Sequence, residues 1–189
     1  MKRILSIIII ALVINNIQAQ KTVSIQAKGS LESPNPCDCV EISEITNKHN
    51  PADILNGMEK CIKKKEFDKA AKLFAIAGVY GKYDSYRVKD KSAHQALLVL
   101  QQKVLLNVNE DEKNNVIASL KKVLKKGSEE LNQVCQEIRK VGAPKYHPKY
   151  MIQHGIQAFI KKDGNGLTEN FKSDESWKLA LKSYLHCDE

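Results

Sequence analysis

From Ala52 to Leu185 the apolar residues recur mostly at intervals of three and four, the period of α-helices that bury one face. Asn50, Pro51 and Asp53 form a helix start, with an N-cap, a proline at the first helical position and an acid in the first turn. Ile54, Leu55, Met58, Cys61 and Ile62 then make one apolar face. After a lysine turn, "EFDKAAKLFAIAG" predicts a second helix ended by Gly78, and "KSAHQALLVLQQKVLL" a third capped by Asp90 or Ser92. The fourth, "EDEKNNVIASLKKVLKK", places acids in its first turn and lysines in its last, as the helix dipole favours, and Gly127 ends it. Ser128 opens "EELNQVCQEIRKVG", which Gly142 and Pro144 close. "PKYMIQHGIQAFIKK" and "SDESWKLALKSYLH", the latter capped by Ser173, complete the set. The expectation is an all-α domain over 51–189, with about seven helices packed as antiparallel pairs.

Residues 20–50 carry no sustained helical period and contain Pro34 and Pro36, so they predict an irregular arm; "KTVSIQAK" could supply one short strand at most. Before them stands "MKRILSIIIIALVINNIQAQ": two basic residues, an apolar run and small residues around Ala19. That layout predicts a signal peptide at 1–19 and a mature chain in the periplasm or outside the cell. No later segment approaches the length of a membrane span.

Within "ADILNGMEKCIKKKEFDKAAKLFAIAG" (52–78), Phe67, Ala70, Phe74 and Ala77 alternate aromatic and small residues along the second helix. The segment resembles a single tetratricopeptide-type helical hairpin. Met58 stands where that family's first helix carries a small residue, with Gly57 one place early, and no second copy recurs along the chain. What the resemblance implies is a helix-turn-helix start.

Export gives the five cysteines, Cys37, Cys39, Cys61, Cys135 and Cys187, a meaning as disulfide formers. Five predicts two bridges and one free thiol, or a bridge between chains. Cys37 and Cys39 are too close to pair with each other, so at least one should tie the arm to the helices. A soft-metal site at this Cys-x-Cys is the sharper alternative. Loss of Lys2 and Arg3 with the signal lowers the formal charge from +8 to +6, which favours an acidic partner or anionic surface. The lysine runs at 63–65, 121–122, 125–126 and 161–162 fit solvated helix ends, so no nucleic-acid partner is expected.

The most conspicuous stretch is "GVYGKYDSYRVKDKSAHQ" (78–95), which sets Tyr80, Tyr83, Tyr86 and Arg87 together. Tyrosine and arginine dominate protein interfaces, and the four residues are the candidate partner-binding surface. The other reading is that the rings seal a gap between helices, with their hydroxyls bonded to Asp84, Asp90 or His94. His147, Met151 and His154 would share one side of a continuous helix, so Met151 and His154 are an alternative metal or haem site; packed core is the competing reading. "DGNGLTENFKSD" (163–174) departs from a calcium loop at Leu167 and Thr168 and reads as a turn. No nucleophile elbow, zinc-protease helix or phosphate loop occurs, and His186 and Cys187, adjacent on a helix, point about 100° apart. The function expected is an exported helical protein that binds another protein, as an inhibitor or immunity-type factor would, without a cofactor. A metal- or haem-binding protein and a cell-envelope enzyme are the rivals.

Overall fold

The structure is a computed structural model that describes residues 26–160 and 164–187. The signal peptide expected at 1–19, the start of the arm to residue 25 and Asp163 of the turn lie outside the described residues.

Among the described residues the chain is all-helical. Seven α-helices occur: α1 (Pro51–Lys63), α2 (Phe67–Arg87), α3 (Ala96–Leu106), α4 (Glu110–Val123), α5 (Glu129–Val141), α6 (Lys149–Ile152) and α7 (Ser173–Leu185). Short 3-10 turns occupy Ile42–Glu44, Lys91–Gln95 and Ile156–Phe159. No described helix is long and apolar enough to cross a membrane.

Local chemistry accounts for several of these boundaries. Asn50 Oδ1 accepts from the N–H of Asp53, while Asp53 Oδ2 accepts from the N–H of Asn50. This reciprocal box satisfies donors that a helix start otherwise leaves unpaired. Asn109 and Glu112 form the same box on α4, and Ser128 caps α5.

Buried Asp53 also fastens the arm. Its other oxygen accepts from Ser33 Oγ and from the N–H of Asn35, each at 2.8 Å, and its carbonyl accepts from the N–H of Cys37. Cys39 is bonded to Cys61 on α1, which meets the expectation that one of the paired cysteines ties the arm down. Cys135–Cys187 joins α5 to the residues after α7. Cys37 is the free thiol, and it is buried.

Helix α2 is the centre of the core, packed against α1, α4 and α7. It corrects the expected stop at Gly78 by running on to Arg87. The two glycines inside it serve close packing. A Cβ at Gly78 would overlap the ring of Tyr184 on α7, and one at Gly81 would strike Leu97 on α3. Neighbouring helices therefore approach closely enough to offset the modest helix penalty of glycine.

A second correction concerns 148–162, where one helix was expected. The structure has α6, only four residues long, then Gly155 and the separate 3-10 turn Ile156–Phe159. The N–H groups of Ile156 and Gln157 are taken by Ser92 Oγ and Asp90 Oδ2, both at 2.9 Å, rather than by carbonyls one turn earlier.

Candidate functional site

Burial overturns the expected tyrosine–arginine contact surface. Tyr80 is 0% exposed, Tyr83 3% and Arg87 8%, so these side chains cannot meet a partner; only Tyr86 is partly exposed. The physical reason is an inward-facing polar cluster. Asp84 is wholly buried, and its Oδ1 accepts from Arg87 Nε at 2.8 Å. Its Oδ2 accepts from the hydroxyls of Tyr146 and Tyr150, each at 2.8 Å. Arg87 Nη2 lies 2.7 Å from Asp84 Oδ1 without a hydrogen bond of acceptable angle, so that contact is Coulombic. The guanidinium also sits 5.1 Å from the ring centroids of both Tyr83 and Tyr146, within cation–π range.

Each remaining hydroxyl has its own partner. Tyr80 donates to the carbonyl of Gly142, Tyr83 pairs with Ser173 and Tyr86 with Ser183. The rings thus seal α2 against α7 and the segment after α5, with hydroxyl partners other than the expected Asp84, Asp90 and His94. Burial, and the charge of Asp84 secondarily, hold the Tyr80 hydroxyl well above its ordinary pKa. Burial pushes the Asp84 carboxyl upward, against the opposing pull of Arg87 and the two tyrosine hydroxyls. A shielded, internally bonded cluster of this kind holds the fold together and offers no atom to a ligand.

The alternative metal pair is also separated by its surroundings. Met151 is 0% exposed in the core, while partly exposed His154 places Nδ1 3.2 Å from Ser30 Oγ. With the helix confined to Lys149–Ile152, His147 and His154 lie outside it, and the spacing of His147, Met151 and His154 no longer implies a shared face. Among the described residues, no three His, Cys, Asp or Glu side chains are grouped to hold a metal ion. Cys187, beside His186, is engaged with Cys135. The Cys-x-Cys metal alternative is overturned because Cys39 is consumed by Cys61.

The feature that stands out at the surface lies elsewhere. Ile156, Phe159 and Ile160 are 65%, 54% and 52% exposed within five consecutive residues. The other large exposed apolar side chains among the described residues, Leu98, Leu106 and Leu179, are spread over two helices, and scattered cases are ordinary. The backbone of this apolar loop is fixed despite its exposure. Asp90 Oδ1 accepts from Ser92 Oγ at 2.6 Å and from the Ser92 N–H at 3.0 Å, which orients both residues to hold Ile156 and Gln157. Burial works against the charge of Asp90, but the bonds from Ser92 and the Gln157 N–H outweigh it and keep the carboxyl below its ordinary pKa. Gly155 is required here, since a Cβ would collide with Asp90 and Ala93.

No protein-family model, curated protein or solved structure matches this chain. The geometry alone therefore carries the functional argument.

Sequence reading missed the loop because Ile152, Ile156, Phe159 and Ile160 mimic the apolar stripe of a buried helix. The one available signal was Gly155, an uncapped glycine in mid-stripe.

Proposed function

We propose that this chain is an exported, non-catalytic binding protein that docks on a partner protein through the apolar loop Ile156–Ile160. The observation that carries the reading is the coincidence of three exposed apolar side chains with a backbone held at Ile156 and Gln157 by Ser92 and Asp90. Apolar side chains at half exposure lose favourable burial unless something covers them. A fixed backbone keeps them positioned before association, which lowers the entropy cost of binding. Two disulfides fit residence in an oxidising compartment, and the formal charge of +6 left after removal of the signal favours a partner whose rim is acidic. An inhibitor or immunity-type role is the specific form this reading takes.

The test compares the natural chain with a variant carrying Ile156→Ser, Phe159→Ser and Ile160→Ser. Both are immobilised and exposed to envelope extract, and retained proteins are identified by mass spectrometry. A partner retained by the natural chain and lost by the variant, at an unchanged melting temperature, is the expected result. Identical retention by both proteins would refute the loop as contact element.

A further inference from the structure

The apolar loop forms one wall of a groove of about 560 Å³. Its opposite wall is the extended stretch around Leu167, which pairs antiparallel with Val88; Lys89 N–H donates to Gly166 O at 3.0 Å and Thr168 N–H to Arg87 O at 2.8 Å. Such a volume lies within the ~300–1,000 Å³ typical of ligand pockets. Ile152, Ile160 and Leu167 give the groove apolar sides, and the amides of Gln153 and Gln157 border it. Neither glutamine side chain bonds to another described residue.

Much of the remaining polar lining is occupied. His147 Nε2 lies 3.0 Å from Asn165 O, Asn165 Oδ1 accepts from the N–H of Leu167, and Asp90 is spent on the loop backbone. Lys89 faces Glu169 at 3.7 Å at the rim. A groove with apolar sides and two primary amides that bond to no other described residue suits a ligand that alternates amide and apolar groups. Each glutamine amide offers one acceptor and two donors, the complement of a peptide bond's C=O and N–H. Phe159, on the adjoining lip, is absent from the lining, so the groove lacks an aromatic floor on which a sugar ring would stack.

We infer that the groove binds an extended peptide segment of the partner. Its main chain pairs with Gln153 and Gln157, while alternate side chains enter between Ile152, Ile160 and Leu167. This rests on the docking reading above and names the element of the partner that is read.

The test uses the purified full chain, disulfides intact, against an array of fluorescein-labelled hexapeptides with Ile, Leu or Phe at alternate positions and Ser between them. A subset should bind. Gln153→Ala and Gln157→Ala should each weaken binding about fivefold, the value of one net hydrogen bond, and Leu167→Ser by about tenfold through lost apolar contact. Absence of binding to every hexapeptide, or indifference to both glutamine substitutions, overturns the inference. So does capture of chito-oligosaccharides or phosphatidylglycerol vesicles in place of the peptides. If the triple loop variant loses its captured partner while no peptide binds, the docking reading stands and the peptide groove falls. Peptide binding alongside unchanged capture would spare the groove and remove the loop.

Discussion

Substituting Asp84→Asn tests directly whether the tyrosine–arginine cluster is core. Asparagine keeps the side-chain volume, so no cavity opens and the loss reports charge and hydrogen bonding alone. In the natural chain the carboxylate takes three hydrogen bonds and a fourth close contact from Arg87, at 0% exposure. An amide has one acceptor oxygen and a donating NH2 group. In either orientation it converts a charge-assisted bond into a neutral one, at about 1–2 kcal/mol by the difference between the two classes. It also leaves Arg87, 8% exposed, without its counter-ion. Breaking a buried pair from one side costs roughly 3–5 kcal/mol. Because the guanidinium keeps its stacking on Tyr83 and Tyr146, the expected loss is about 3 kcal/mol, at the lower end of that range. At roughly 2–4 °C per kcal/mol for a chain of this size, the melting temperature should fall by about 6–12 °C. Urea unfolding at pH 7 followed by circular dichroism, with disulfides intact, measures the free energy. Adding Arg87→Met removes the stranded charge, so the double variant should be more stable than Asp84→Asn alone. A single-variant loss below about 1 kcal/mol, the level of an exposed pair, would refute the buried-cluster account.

Three further outcomes follow from the same packing. Tyr83→Ala should cost roughly 3–5 kcal/mol as a buried aromatic truncation, and Tyr86→Ala clearly less; equal, small losses in urea melts would return both residues to the surface. Gly78→Ala should destabilise by about 1–3 kcal/mol, because the added methyl meets the Tyr184 ring, and a Tyr184→Ala background should relieve part of that cost. Burial, joined by the charge of Asp53, pushes the Cys37 thiol from 9.0 up to about 12, so it should resist iodoacetamide at pH 8 until the chain unfolds. Here the folded state holds its proton longer than the unfolded one. Stability from this thiol is complete below pH 9 and declines by about 1.4 kcal/mol per pH unit as pH rises from there toward 12; a Cys37→Ala variant should lose less stability over that window.

What the sequence made legible was what neighbours along the chain decide. The Asn50 cap with Asp53 in the first turn, the acidic start of α4 and the Ser128 cap of α5 are each complete within four residues, and each was visible. The link from the Cys37–Cys39 pair to the helices followed from stereochemistry and compartment. What stayed hidden depends on residues far apart in sequence. Gly78 reads as a helix end until Tyr184, more than a hundred residues later, fills the space beside it. The tyrosines were ambiguous for a different reason. Stiff, amphipathic side chains with a polar tip suit an interface and a satisfied core equally, and only the locations of Asp84, Tyr146 and Tyr150 decide between them.

The stretch 78–95 nevertheless bears on the candidate surface, through its last residues rather than its tyrosines. The chain leaves the core after Val88, where the carbonyl of Arg87 and the N–H of Lys89 pair with the segment around Leu167 that walls the groove. Within five residues of that buried arginine, Asp90 and Ser92 reach out to hold Ile156 and Gln157. The same short run of backbone is therefore anchored at one end by the Asp84–Arg87 pair and fixes both walls of the groove at the other. A pair buried this deeply adds little net stability over an apolar substitute. Its value here is positional: it fixes where residues 88–92 emerge, and those residues set the geometry of the exposed loop. On this account the tyrosines and the arginine contribute to docking only at second hand, by holding the base to which the contact element is tied.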